Sequence, residues 1–229
     1  MHSFAGSYAF SANTKIQPKA PLWPIEWVEI EREVFRKQQK LAQLANLHGL
    51  KSPQVQRYQN QLIVDLNFRL IAVKGVLADS SNVVRKTIGE KVELVEGLRD
   101  LNEYKTKAVY GVGNRKSEIK ATILDIPTIK DRCVQGLFKL VLEPVTEVRA
   151  DTSSFGFRRY RTAHQALAVL HAHLKNYTKS ENQAIFDVGI DGFFNNISHE
   201  WIIKYLPIPS NYLYILVSWL KGGMFENGV

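Results

Sequence analysis

Residues 185–201 read IFDVGIDGFFNNISHEW, and the expected fold class turns on them. Ile185, Phe186, Val188 and Ile190 are apolar or β-branched, which predicts a pleated strand. Asp187, Gly189 and Asp191 recur at spacing two and therefore fall on one face of that strand. Gly192 ends the run, Phe193 and Phe194 supply an apolar anchor, and Ser198 before Glu200 and Trp201 marks a helix start, because serine is a strong N-cap. A strand that delivers carboxylates at its end can hold divalent metal for phosphoryl chemistry. The same residues also read as a core strand whose acids are simply solvated, and residue types alone leave both readings open.

Outward from this stretch, 229 residues allow one or two domains with a sizeable core. A hydrophobic fraction of 45% and a charged fraction of 23% are those of a globular protein. The net charge of +8 and a pI near 9.5 favour a polyanionic partner, nucleic acid above all. The single Cys133 excludes an internal disulfide and a multi-cysteine zinc site. No metal site is expected, and no apolar run is long enough for a transmembrane helix. Residues 1–24, polar, acid-poor and closed by Pro21 and Pro24, read as a flexible leader with only a weak likeness to a transit peptide.

From Ile25 to about Leu47 the spacing of Ile30, Val34, Leu41, Leu44 and Leu47 predicts an amphipathic helix, with Arg32, Arg36, Lys37 and Lys40 on its other side. A second helix is expected from Pro53 to Leu77, on the stripe Val55, Tyr58, Leu62, Leu66, Leu70 and Val73, and a third over 91–107. Residues 108–124 alternate as a β-hairpin turning at Gly113–Lys116. Thr128 caps the next helix, which runs to about Leu142 with Asp131 in its first turn and Val134, Leu137, Phe138 and Val141 as its stripe. Lys130 and Arg132 lie at that helix start, where free N–H groups also attract phosphate, and a solvated first turn explains them equally well. In DTSSFGFRRYRTAHQAL (151–167), Phe155 and Phe157 flank a turn, and Arg161 and His164 are expected on one face of the following helix. Arg158, Arg159 and Arg161 among aromatics suit single-stranded RNA, guanidinium groups meeting phosphates and rings stacking on bases; core packing of the two phenylalanines is the other reading.

Several of these blocks resemble the group II intron reverse transcriptases and maturases. Gly192, Phe193, Phe194, Asn196, Ile197 and His199 match the family's first catalytic block, while Gly189 stands where the family carries its metal-binding Asp and Asn195 where it carries a second. Asp187 and Asp191 are the nearest carboxylates, two residues to either side, and same-face strand neighbours lie ~6–7 Å apart. Ile126–Arg132 with Val134-Gln135 is close to a family signature, and 27–45 is similar to the family's helical N-terminal extension. Arg69, Ala72, Val73, Lys74, Val76, Lys86, Thr87 and Gly89 match the segment that follows the extension. In the hairpin, Thr122 replaces the family's triphosphate-contacting Arg, leaving Lys116 and Lys120 as point charges for RNA phosphates.

The resemblance implies an α+β fold: a helical N-terminal extension (25–107) followed by reverse-transcriptase-like fingers and a truncated palm (108–229), with a small antiparallel sheet from 108–124 and 185–191. It implies an RNA-binding, maturase-like role in splicing of group II intron RNA, with no catalytic residues in place. Mg²⁺ enters only if a second chain restores the polymerase site. A decayed frame and a split polymerase are the alternatives. The resemblance also implies RNA-binding roles for Arg32, Arg36, Lys37, Lys40, Lys116, Lys120, Lys130, Arg132, Arg158, Arg159, Arg161 and His164. A second protein covering the palm is a further expected partner. The expected compartment is a plastid or mitochondrion, with a bacterial cytoplasm as the alternative.

Overall fold

The computed structural model describes residues 25–79, 86–107, 109–114, 122–176, 186–222 and 224–225. The leader 1–24, Lys116 and Lys120 lie outside the described residues. Helix α1 spans Trp27–His48 and buries Val34, Gln38, Leu41 and Ala45, one stripe at helical spacing. Leu47, expected on that stripe, is exposed. Ser52 then caps α2 (Pro53–Ile63), accepting from the Val55 N–H.

The single helix expected over 53–77 is two helices, because α3 is a separate element over Leu66–Asp79. Asp65 makes the break: its carboxylate accepts from the N–H groups of Asn67 and Phe68, capping the free donors of a new helix start. Helix α4 spans Ile88–Glu96, earlier and shorter than the stretch 91–107 expected. A reciprocal capping box between Thr87 and Glu90 sets its start, and Gly97 follows its end. The chain after it still contributes Leu98, Leu101 and Tyr104 to the core. Strands β1 (Val109–Asn114) and β2 (Thr122–Ile126) pair antiparallel, Tyr110 opposite Ile126.

Helix α5 (Ile129–Glu147) runs through the centre, packed on α1, α2 and α3. It continues past Leu142 and across Pro144. A proline inside a helix leaves the carbonyl four residues earlier without its N–H. That carbonyl belongs to Leu140, and the buried Gln38 of α1 donates to it at 2.8 Å. The fully buried Gln59 of α2 donates to the Val141 and Pro207 carbonyls at 3.1 and 3.0 Å. Replacing Gln38 with Leu is expected to cost about 1–3 kcal/mol, the penalty of an unpaired buried acceptor. The cost should shrink in a Pro144→Ala background, where the helix supplies its own donor; urea unfolding of the four-protein cycle measures it.

Helices α6 (Ala163–Asn176), α7 (His199–Tyr205) and α8 (Leu213–Leu220) follow. A two-residue strand, β3 (Met224–Phe225), pairs in parallel with β1. Tyr212 and Trp219 set their rings edge-on against Phe138 of α5. A buried polar cluster joins the same parts. Tyr104 and Thr128 both donate to Asp131 at 2.6 Å, and the Trp219 indole donates to the Tyr104 oxygen at 3.1 Å. Burial, then the bond to Asp131, pushes the Tyr104 phenol up to about 12. The folded state thus favours the neutral phenol, whereas an unfolded tyrosine ionises near pH ~10. The stabilisation is complete below that value and is lost as pH rises toward the folded pKa. Between pH 10 and about 12 the urea midpoint should therefore fall more steeply for the wild type than for Tyr104→Phe.

The expectation of an α+β fold built on an antiparallel sheet from 108–124 and 185–191 is corrected by this architecture: helices dominate, and the short sheet of β1, β2 and β3 takes no strand from 186–191. Among described side chains, every buried apolar residue lies in a helix or in irregular chain next to one. The expected carboxylate strand is absent: 186–190 have no regular structure, 191–193 form a turn and 194–196 a single 3-10 turn. Phe186 is 92% exposed, and Val188 and Ile190 are also exposed. β-preference is realised only against a neighbouring strand and a covering face, and this segment has neither among the described residues. Gly192 instead takes φ +61°, and the Asn196 amide donates to its carbonyl at 2.9 Å. A Cβ at this glycine would sit 2.8 Å from the Asn196 Nδ2.

Candidate nucleic-acid interface

The loop 151–162, between α5 and α6, is held from within. The Arg158 guanidinium forks onto the Glu147 carboxylate, with Nε at 3.1 Å, and also donates to the carbonyls of Asp151 and Ser154. The bonds to Glu147 raise the Arg158 pKa further, fixing it as a cation. Phe157 and Tyr160, on either side, adopt φ of 57° and 63°. Left-handed backbone at a bulky residue costs about 1–3 kcal/mol and persists only where surrounding contacts impose it. Arg158, next to Phe157, ties the loop to Glu147 and to the carbonyls of Asp151 and Ser154. Phe157 is 97% exposed.

Phe194 lies against that ring, and the loop carries further aromatics and cations. Phe194, 71% exposed, meets Phe157 edge-on at 6.1 Å and Phe193 at 5.3 Å. The two phenylalanines expected to anchor the core are thus surface groups. Arg159 lies over the Tyr160 ring at 5.0 Å and donates to Gln38 at 3.3 Å; Arg161 lies over Phe155 at 5.6 Å. Arg161 is not on the next helix, since Thr162 caps α6 and accepts from the Gln165 N–H. His164, in the first turn of α6, is exposed. The guanidinium and ring types are legible in the sequence, but the strain at Phe157 and the reach of Phe194 to it have no local signal.

The other expected RNA contacts are placed differently. On α1, Arg32 bonds Glu29, Arg36 bonds Glu33, and Lys37 bonds Asp65 and Glu33. Hydrogen bonding to Arg36 holds the Glu33 carboxyl down at about 2. Lys40 lies over Tyr58 at 4.9 Å. Much of the basic side of α1 is therefore internally neutralised. Lys130 is exposed at the start of α5, and Arg132 is half-buried beside it. Asp187 and Asp191 are exposed on the irregular segment. Among the described residues no three His, Cys, Asp or Glu side chains gather as metal ligands, and no helix is long and apolar enough to cross a membrane. A groove of about 330 Å³ between α3 and α4, lined by Ile25, Leu66, Leu70, Ile88, Val92, Val95 and Glu96, holds none of the expected site residues.

The loop thus presents rings and guanidinium groups on a basic, helical protein. In sequence the chain is similar to group II intron-encoded proteins and maturases. It is 26% identical over 195 residues to Maturase-like protein 1 of Euglena gracilis, covering 81% of this chain and 42% of that protein. It is 25% identical over 160 residues to the Group II intron-encoded protein LtrA of Lactococcus lactis subsp. cremoris, covering 68% of this chain and 25% of that protein. Over 109 residues it is 29% identical to Nuclear intron maturase 2, mitochondrial, of Arabidopsis thaliana, covering 46% of this chain and 14% of that protein. The chain thus spans less than half the length of each of these relatives. No family model matches it.

Proposed function

We propose that this protein binds intron RNA of the group II type and assists its splicing without polymerising nucleotides. The observation that carries the reading is the strained Phe157, 97% exposed beside Phe194, Tyr160, Arg159 and Arg161. Rings held in solvent beside guanidinium groups take unpaired bases and their phosphates. Relatives named as maturases and as intron-encoded supply the class of RNA. Lys130, Arg132 and His164 extend the contact on the same reading. Arg158 acts by positioning, since its donors are already occupied.

The absence of polymerisation is supported by the residues at the family's metal block. Gly189 offers no ligand there, and Asp187 and Asp191 lie exposed on a segment that forms no strand. Metal-assisted phosphoryl transfer needs carboxylates held in fixed geometry, so the residues present do not fit the two ions that polymerases use. An organelle, plastid or mitochondrion, is the proposed compartment, and a bacterial cytoplasm is the alternative.

The test joins two assays on the full chain. Fluorescence anisotropy with a structured group II intron RNA should show binding whose log affinity falls linearly with log salt. Primer extension on an RNA template with Mg²⁺ or Mn²⁺ should show no incorporation. Absence of RNA binding at low salt would refute the first half of the proposal, and template-dependent extension the second.

A further inference from the structure

Helix α7 carries a second aromatic surface that the reading above does not use. Ile202 and Ile203 pack against the core. Trp201, Lys204 and Tyr205, at i, i+3 and i+4, share the opposite face. Trp201 is 60% and Tyr205 50% exposed, and their rings lie 4.9 Å apart with a tilt of 38°. The Lys204 ammonium lies 5.3 Å from the centre of the Tyr205 ring. Lys51, from the turn between α1 and α2, donates its ammonium to the Lys204 carbonyl, bringing a second positive charge to the end of this face. Among the described residues neither lysine is paired with a carboxylate, Glu200, one turn before Lys204, included.

Solvent-facing rings on a helix suit either an apolar protein surface or nucleobases, and the lysines decide between them. Lysine is depleted from the cores of protein–protein interfaces, where its ammonium would be desolvated. Single-strand-binding surfaces combine the same parts in the opposite sense: rings take the base faces, and nearby cations follow the phosphates. The net charge of +8 adds attraction for the same polyanion.

We propose that the Trp201–Tyr205 face of α7, flanked by Lys204 and Lys51, is a stacking site for unpaired bases of single-stranded RNA, distinct from the loop 151–162. The proposal rests on the RNA-binding reading and adds a second point of contact to it.

The test is the anisotropy of a labelled oligouridine RNA on the full-length chain, over a range of salt. The double variant Trp201→Ala, Tyr205→Ala should bind about 5- to 150-fold more weakly, the loss of one stacked base, with its salt slope unchanged because no charge is removed. Lys204→Ala should lower the slope by about one, and Trp201→Phe, which keeps a ring, should retain most of the affinity. Unchanged affinity in the double variant, while Phe157→Ala binds weakly, would overturn this site and leave the loop reading standing. No binding by the wild type would overturn both. A change of oligomeric state in sedimentation, with affinity for RNA preserved, would make this face a protein-docking surface and overturn the proposal.

Discussion

Replacing Phe138 with alanine is expected to destabilise the fold by about 3–5 kcal/mol, the usual loss for a fully buried aromatic. Phe138 is 1% exposed on α5, and its ring contacts Tyr212 at 5.4 Å and Trp219 at 5.5 Å, both edge-on. The cost has two parts: the apolar surface returned to water and the cavity left between α5 and α8. Each edge-to-face pair contributes about 0.5–1.5 kcal/mol beyond the buried area. Small domains have only about 5–15 kcal/mol in total, so this one change removes a large share. Urea unfolding should show a lower midpoint at an unchanged slope. A loss below about 1 kcal/mol, which is typical of surface changes, would mean that α8 is not seated on α5 as described.

Arg158→Ala should weaken RNA binding by about 5- to 150-fold, the cost of one lost base stack, and leave the salt slope unaltered. The reasoning follows the hydrogen bonds. The guanidinium is joined to Glu147 and to the Asp151 and Ser154 carbonyls, so its charge is already balanced and its donors are turned inward. Removing it frees the backbone to relax from the φ of 57° that holds Phe157 outward. Affinity then falls because a ring is no longer presented, while the number of neutralised phosphates is unchanged. Arg161→Ala should behave in the opposite way, lowering the slope by about one. Arg158→Lys should fail to rescue, since a point charge cannot reproduce the fork onto Glu147. If Arg158→Ala flattened the slope as Arg161→Ala does, the clamp would be a phosphate contact after all.

These two residues show how far a sequence reaches. Phe138 was legible because its stripe repeats at helical spacing and the cap at Thr128 sets the phase; all four stripe residues are buried. Arg158 was legible only as a cation near aromatics. Its partner Glu147 is 11 residues away on another element, so no local pattern distinguished a clamp from a ligand. Along α1 the partner Glu33 was within local reach of Arg36 and Lys37, whereas Asp65, which also takes Lys37, comes from a distant part of the chain. Neighbouring carboxylates decide whether a surface cation is available, and part of that arrangement is tertiary.

Local spacing and side-chain type were enough for the stripes of α1 and α5 and for the caps at Thr128 and Ser198. Each of those rests on residues within a few positions of one another, where spacing and side-chain type suffice. The break at Asp65 is also local, made by a side chain that reaches the next two N–H groups, whereas contacts from distant parts of the chain settled the passage of α5 through Pro144 and the fate of 186–193. A helix start needs only a side chain that reaches the next free N–H groups, and a proline is tolerated where another helix brings a donor. A strand needs a second strand alongside it. The residues at 186–190 have the composition of a strand but pair with none among the described residues, and they lie in solvent as irregular chain.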